Sequence, residues 1–230
     1  MISQIGPTAL AFGFTLGLRH ALDADHIAAV STLVSESRNI WRSSLVGTWW
    51  GLGHTAALLA AGIAVIGLKL TIPPRFTHSM EIAVAVMLVS LGTRAVLTAL
   101  GRWKIHRHAH AHDGSAHVHF HLHRPGAHVH EHRHILAIGA RPFLVGLVHG
   151  LAGSAGLLIL ALSTISSALA GFAFIVVFGL GSTAGMLLMS SLIGLPFAWT
   201  VRRFHWVLQG LQLAVGCGSI LFGCVYGLTR

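Results

Sequence analysis

The sequence predicts an all-α polytopic membrane protein of six transmembrane helices in a 3+3 inverted repeat, on three observations. The chain is 54% hydrophobic and 9% charged, too little polar surface for a soluble domain to present to water. Six apolar stretches are each long enough to cross ~30 Å of hydrocarbon, which takes about 20 helical residues. Two segments then recur in order at nearly one spacing. Gly17-Leu18-Arg19-His20-Ala21-Leu22 reads against Gly146-Leu147-Val148-His149-Gly150-Leu151, an offset of 129 (146 − 17). Gly51-Leu52-Gly53-His54-Thr55-Ala56 reads against Gly179-Leu180-Gly181-Ser182-Thr183-Ala184, an offset of 128 (179 − 51). A unit with three spans reverses direction when it repeats, and transporters built this way carry their sites near the bilayer midplane between the repeats.

In chain order, the first span runs from Pro7 to Val34. As one straight helix it exceeds ~40 Å, so it is expected to tilt or break. Spans from Ser44 to Leu70 and from Ser79 to Leu100 complete a first repeat over residues 1–101. Residues 102–141 form a loop. The fourth span opens at Pro142, a residue suited to a first helical turn, and reaches Leu162; the fifth covers Ser166 to Leu195, where Pro196 is expected to end it; the sixth covers Phe204 to Leu228. Residues 142–230 are the second repeat. No basic segment precedes the first apolar run and no small-residue cleavage site follows it, so the first helix is expected to be retained. Cys217 and Cys224 lie two turns apart on one predicted helix, about 10 Å along its axis, too far for a disulfide, and are read as packing residues.

Charge reads as topology. The net charge is +9, but the basic residues sit between apolar segments rather than in a stripe with aromatics, which argues against nucleic acid as a partner. Arg38, Arg42, Arg102, Lys104, Arg107, Arg124, Arg133, Arg141, Arg202 and Arg203 fall on one side of six spans, and Lys69, Arg75 and Arg230 on the other. The positive-inside rule makes the first side cytoplasmic. Both termini are then outside, in the cytoplasmic (inner) membrane, with the 102–141 loop inside.

Ionisable side chains inside the first span, Arg19-His20-Ala21-Leu22-Asp23-Ala24-Asp25-His26, are the costliest to place. A charge near a bilayer centre costs from ~2.5 to more than 10 kcal/mol, so the packet is a functional-site candidate. At about 100° per residue, His20, Asp23 and His26 share an arc of roughly 120° while Asp25 turns away, joining the others only if the span unwinds locally. Two imidazoles and a carboxylate suit a divalent transition metal. His54 and His149 fall at a similar depth, about 16 Å and 10 Å into their spans from the cytoplasmic ends, with His20 about 20 Å in from the outside. In the second repeat Ser182 replaces His54, and Ala152 to Ala155 carry no acids, so the site is expected to be asymmetric and built mainly by the first half.

The loop carries twelve histidines, His106, His108, His110, His112, His117, His119, His121, His123, His128, His130, His132 and His134, most alternating with one other residue. Such tracts bind borderline divalent metals through many weakly selective ligands. Here they are read as an accessory metal site. Glu81 and Arg94 are read as structural, near the ends of span three; Trp41, Trp49, Trp50, His205 and Trp206 as interfacial; Met186 and Met189 as packing. There is no phosphate loop, HExxH or serine elbow.

Arg19-His20-Ala21-Leu22-Asp23-Ala24-Asp25-His26-Ile27 resembles the RHA-x-DADHI signature of the nickel/cobalt transporter (NiCoT) family, and Leu52-Gly53-His54-Thr55 resembles the histidine motif of that family's next helix. The resemblance implies a permease for Ni²⁺ or Co²⁺ without an ATPase of its own, with His20, Asp23, Asp25, His26 and His54 carrying selectivity and transport. It covers the first two spans well and the rest in outline. Family members typically have eight spans with the signature in the second; here it is in the first. The later acidic motif resembling GFDTATE is missing, and Gly150-Leu151-Ala152-Gly153-Ser154-Ala155 stands in its region, similar to the divergent UreH-like branch.

The expected function is uptake of Ni²⁺, or Co²⁺, through a midplane site of His20, Asp23, Asp25, His26, His54 and His149, with the ion as substrate and no permanent cofactor. Partners are the metal ion, the lipid bilayer and cytoplasmic nickel-delivery or urease-maturation proteins. Nickel/cobalt efflux is the alternative in direction, since related efflux proteins carry a similar His-rich insertion. A membrane metalloenzyme with a resident metal, or a haem carrier with axial histidines, are the alternatives in class.

Overall fold

A computed structural model describes residues 7–37, 39–71, 73–101, 105–112, 115–122, 135–153, 167–200 and 205–229. Its body is helical: α1 (Pro7–His20), α2 (Ala24–Ser35), α3 (Ile40–Gly62, prolonged by a π turn, Ile63–Gly67), α4 (Pro74–Ala99), α5 (Ile135–Gly153), α6 (Ala168–Thr200) and α7 (His205–Thr229). Among the described residues, four segments are long and apolar enough to cross a membrane: Ile40–Gly67, Pro74–Ala99, Ala168–Thr200 and Trp206–Thr229. Large apolar side chains such as Phe12, Leu188, Leu221 and Leu228 stand exposed on the outer face, a surface suited to lipid. The chain is an integral membrane protein.

The first predicted span is broken. Leu22 N–H turns back to Arg19 O and Asp23 N–H to His20 O, closing α1 with a tight turn; Asp23, extended at φ −63° and ψ 147°, caps α2 and accepts Ile27 N–H at its carbonyl. Aspartate disfavours helix interiors, and Asp23 stands at the break with its carboxylate on His20 Nδ1 rather than on the α2 backbone.

At the centre α3 and α6 run antiparallel. Thr55 Oγ1 donates to Gly179 O (3.1 Å) and lies 3.2 Å from Thr183 Oγ1. Close approach demands glycine on both sides: a Cβ at Gly51 would overlap Thr183, and one at Gly179 would overlap Thr55. Small residues let helix backbones meet where lipid supplies no hydrophobic drive. α1 lies along α6 and α5 along α3, each pair parallel: Gly17 abuts Phe178 as Gly146 abuts Trp50, and Gly181 abuts Phe14 as Gly53 abuts Phe143. α4 and α7 pair antiparallel, with Ser219 Oγ donating to Leu88 O (3.0 Å).

The far end of α2 is tied down. Glu36 accepts Arg94 Nε and Nη2 (2.7 and 3.0 Å), with Arg141 Nη1 3.8 Å away. Gln212 Nε2 donates to Ser35 O (2.9 Å). Arg94 is thus structural, as its position implied.

Several expectations change. Pro196 does not end its helix, which runs to Thr200, and Pro142 lies inside α5 rather than opening it; in lipid a broken helix exposes backbone groups that nothing satisfies, so helices continue through proline. Cys217 and Cys224 are free and exposed, not packed inside. In the histidine tract, Ile105–His112 and Ser115–Leu122 pair as antiparallel strands, with His106 opposite His121, His108 opposite His119 and His110 opposite His117. His123, His128, His130, His132 and His134 lie outside the described residues, as do Ser154 and Ala155 and the predicted end of the fourth span at Leu162.

Candidate metal site

Four histidines from four helices meet where the first span breaks. His20 ends α1, His26 lies in the first turn of α2, His54 is midway along Ile40–Gly67, and His149 is on α5. All are buried, at 0–4% exposure. The ring centroids of His20, His26 and His54 form a triangle of 4.6, 5.1 and 5.3 Å, and His149 stands 4.1 Å behind His26.

Two carboxylates sort the ring nitrogens. His20 Nδ1 donates to Asp23 Oδ2 (2.8 Å), and His26 Nδ1 donates to Asp25 Oδ1 (3.1 Å). Each bond fixes the tautomer in which Nε2 keeps its lone pair, and both Nε2 atoms, with both nitrogens of His54, are buried without a partner. Asp25 is itself held, accepting His149 Nε2 (3.0 Å) at Oδ2 and the His26 backbone N–H (2.9 Å) at Oδ1. An imidazole whose second nitrogen donates to a carboxylate is the usual arrangement of a metal-ligating histidine.

One ligand atom each from His20, His26 and His54 lie within 4.8 Å of one another, as do those of Asp25, His26 and His149. In the first set every nitrogen is then no more than about 2.8 Å (4.8/√3) from the triangle's centre, against ~2.0–2.1 Å for a zinc–imidazole bond. Closing less than about 1 Å would bring three neutral imidazoles onto one ion. In the second set Asp25 is occupied by hydrogen bonds to both histidines. A buried polar atom without a partner costs ~1–3 kcal/mol, and five histidine nitrogens here bear that cost. A ligand that accepts their lone pairs would remove much of it.

The break reverses the two acids. On a continuous helix Asp23 faces the histidines and Asp25 faces away; here Asp25 lies between His26 and His149 with its side chain 15% exposed, while Asp23 is 51% exposed and reaches back to His20. Trp50, expected at an interface, is buried with its ring 5.3 Å from that of His26 and 5.8 Å from that of His149. Phe178 lies 5.5 Å from the His20 ring. Both were legible: Trp50 precedes His54 by one turn, and Phe178 is its counterpart at the repeat offset of 128 (178 − 50).

A family model described as "NicO: High-affinity nickel-transport protein" matches residues 7–220. The chain belongs to the NicO family. Relatives of this NicO protein include the urease accessory protein UreH of Bacillus sp. (strain TB-90), 37% identical over 221 residues, which cover 94% of this chain and 89% of that one. A high-affinity nickel transport protein of Cupriavidus necator is 33% identical over 79 residues, 34% of this chain and 22% of that one. The chloroplast protein FOR GROWTH AND FERTILITY 1 of Arabidopsis thaliana is 29% identical over 222 residues, 91% of this chain and 58% of that one. No solved structure matches.

Proposed function

We propose that this protein is a permease that takes up Ni²⁺, and Co²⁺ with it, through the site of His20, His26 and His54. The observation that carries the reading is the set of three buried imidazoles with unpartnered nitrogens, two of them backed by carboxylates. The imidazoles replace hydration waters, Asp23 and Asp25 hold the tautomers and offset the dication's charge, and His149 anchors Asp25. Imidazole suits nickel and cobalt, whereas magnesium, calcium and manganese favour oxygen. No bond is made or broken in the substrate and no permanent cofactor is required, so the protein is a transporter rather than an enzyme.

The architecture we propose has six spans: α1 with α2, then α3, α4, α5, α6 and α7. The inverted repeat is supported by reciprocal contacts at its offset, Gly51 on Thr183 with Gly179 on Thr55, and Gly53 on Phe143 with Gly181 on Phe14. Both termini face outside the cytoplasmic membrane, with the histidine tract inside as an accessory metal store. The nickel-transport family supports uptake, and the kinship with a urease accessory protein supports cytoplasmic urease-maturation or nickel-delivery proteins as recipients.

The test is ⁶³Ni²⁺ uptake into sealed vesicles of known orientation, with cobalt and zinc as competitors. His20→Ala and His54→Ala proteins should insert normally and lose flux. Parent-like accumulation by either variant would remove the site from the pathway, and flux only out of the cytoplasmic side would establish efflux.

A further inference from the structure

The buried hydroxyls of Thr32, Ser35, Ser190 and Thr200 each donate to a carbonyl three or four residues earlier in their own helix. Ser182 does not. It is fully buried on α6 and its Oγ has no partner. The α6 face of Phe178, Ser182 and Gly185 runs beside the α1 turn that carries His20. A Cβ at Gly17 would fall 2.8 Å from the Ser182 nitrogen, one at Gly185 would fall 2.6 Å from Ala21 Cβ, and the Phe178 ring is 5.5 Å from the His20 ring. At the repeat offset of 128, Ser182 is the counterpart of His54 (182 − 54), whose ring is 5.1 Å from that of His20. The position that holds an imidazole in one half holds a lone hydroxyl in the other.

We propose that Ser182 is the specificity-determining group of the second half: its hydroxyl holds one of two waters that the ion retains beside the three imidazoles. This rests on the transport-site reading above. A serine hydroxyl is a poor ligand for a borderline dication, but it donates and accepts hydrogen bonds, and the second water it holds raises the coordination number from four, three imidazoles and one water, to five. Zinc is content with four tetrahedral ligands, whereas nickel takes tetragonal geometries with more. The hydroxyl therefore favours nickel and cobalt over zinc.

The experiment uses the purified full-length protein with Co²⁺ as a spectroscopic probe, alongside nickel flux competed by zinc. Ser182→Ala should intensify the visible cobalt bands several-fold, as the second water leaves and coordination falls toward four, and should lower the nickel-over-zinc preference by about tenfold, the loss of one hydrogen bond. Ser182→Thr, which keeps the hydroxyl, should restore both. A second variant does not depend on the first being made: Ser182→Gly, which removes the hydroxyl without adding bulk, should change the cobalt spectrum and the metal preference in the same direction as Ser182→Ala. A parent-like cobalt spectrum and metal preference in either variant overturns the proposal. If the parent carries no nickel yet its cobalt spectrum responds to Ser182, the transport reading fails while the assignment of Ser182 stands.

Discussion

Asp25→Asn separates a carboxylate that orients ligands from one that is a ligand. Asp25 accepts His26 Nδ1 at 3.1 Å, the His26 backbone N–H at 2.9 Å and His149 Nε2 at 3.0 Å. Asparagine keeps one acceptor oxygen, which can stay on His26, but turns an amide N–H₂ toward His149, where two donors then face each other. One hydrogen bond to a charged group is lost, worth ~1.5–3 kcal/mol, or about 10- to 150-fold in an equilibrium constant. Loss of a carboxylate behind a metal-bound histidine typically costs 10- to 100-fold in affinity. Asp25→Asn should therefore raise the KM for nickel, and the Kd by calorimetry on purified protein, by about 10- to 100-fold with normal insertion, while His26→Ala abolishes binding. Asp23→Asn, which breaks one bond from a half-exposed side chain, should cost less. A KM within about twofold of the parent would refute the orienting role, and a loss as complete as that of His26→Ala would make Asp25 a direct ligand.

Two further outcomes test the topology and the division of labour. A cysteine at Ser115, in a protein without Cys217 and Cys224, should resist an impermeant thiol reagent in intact cells if that loop is cytoplasmic, as the proposal from ten basic residues against three has it; ready labelling reverses the orientation. Deleting residues 106–134 and joining the flanks with a Gly/Ser linker should lower the number of metal ions bound per protein by elemental analysis, yet leave nickel flux into chelator-loaded vesicles and its preference over zinc largely intact. Loss of flux in a correctly inserted deletion protein would make the tract an obligatory station.

The membrane class was legible because it follows from composition and segment length, which need no partner. Residues 19–27 and 52–55 carry the motifs of a family to which the chain belongs over residues 7–220. His20, His26 and His54 could be named as candidates because an imidazole inside an apolar run has few uses, and the break of the first span could be anticipated from its length. The same periodicity brings Asp25 to the histidines only where the span unwinds. It treats a helix as continuous, and three non-helical residues, Ala21 to Asp23, rotate everything beyond them, bringing Asp25 between His26 and His149.

What the sequence by itself determined is therefore the solvent, the class and the candidate ligands, each fixed by the chemistry of residues at local spacing. The tertiary structure decided which nitrogen keeps its lone pair, which carboxylate stands behind which ring, that Trp50 is buried beside the histidines, and that Ser182 is left without a partner. Those facts depend on groups more than a hundred residues apart, such as His149 and Asp25, being packed within hydrogen-bonding distance, and no helical period encodes such a distance.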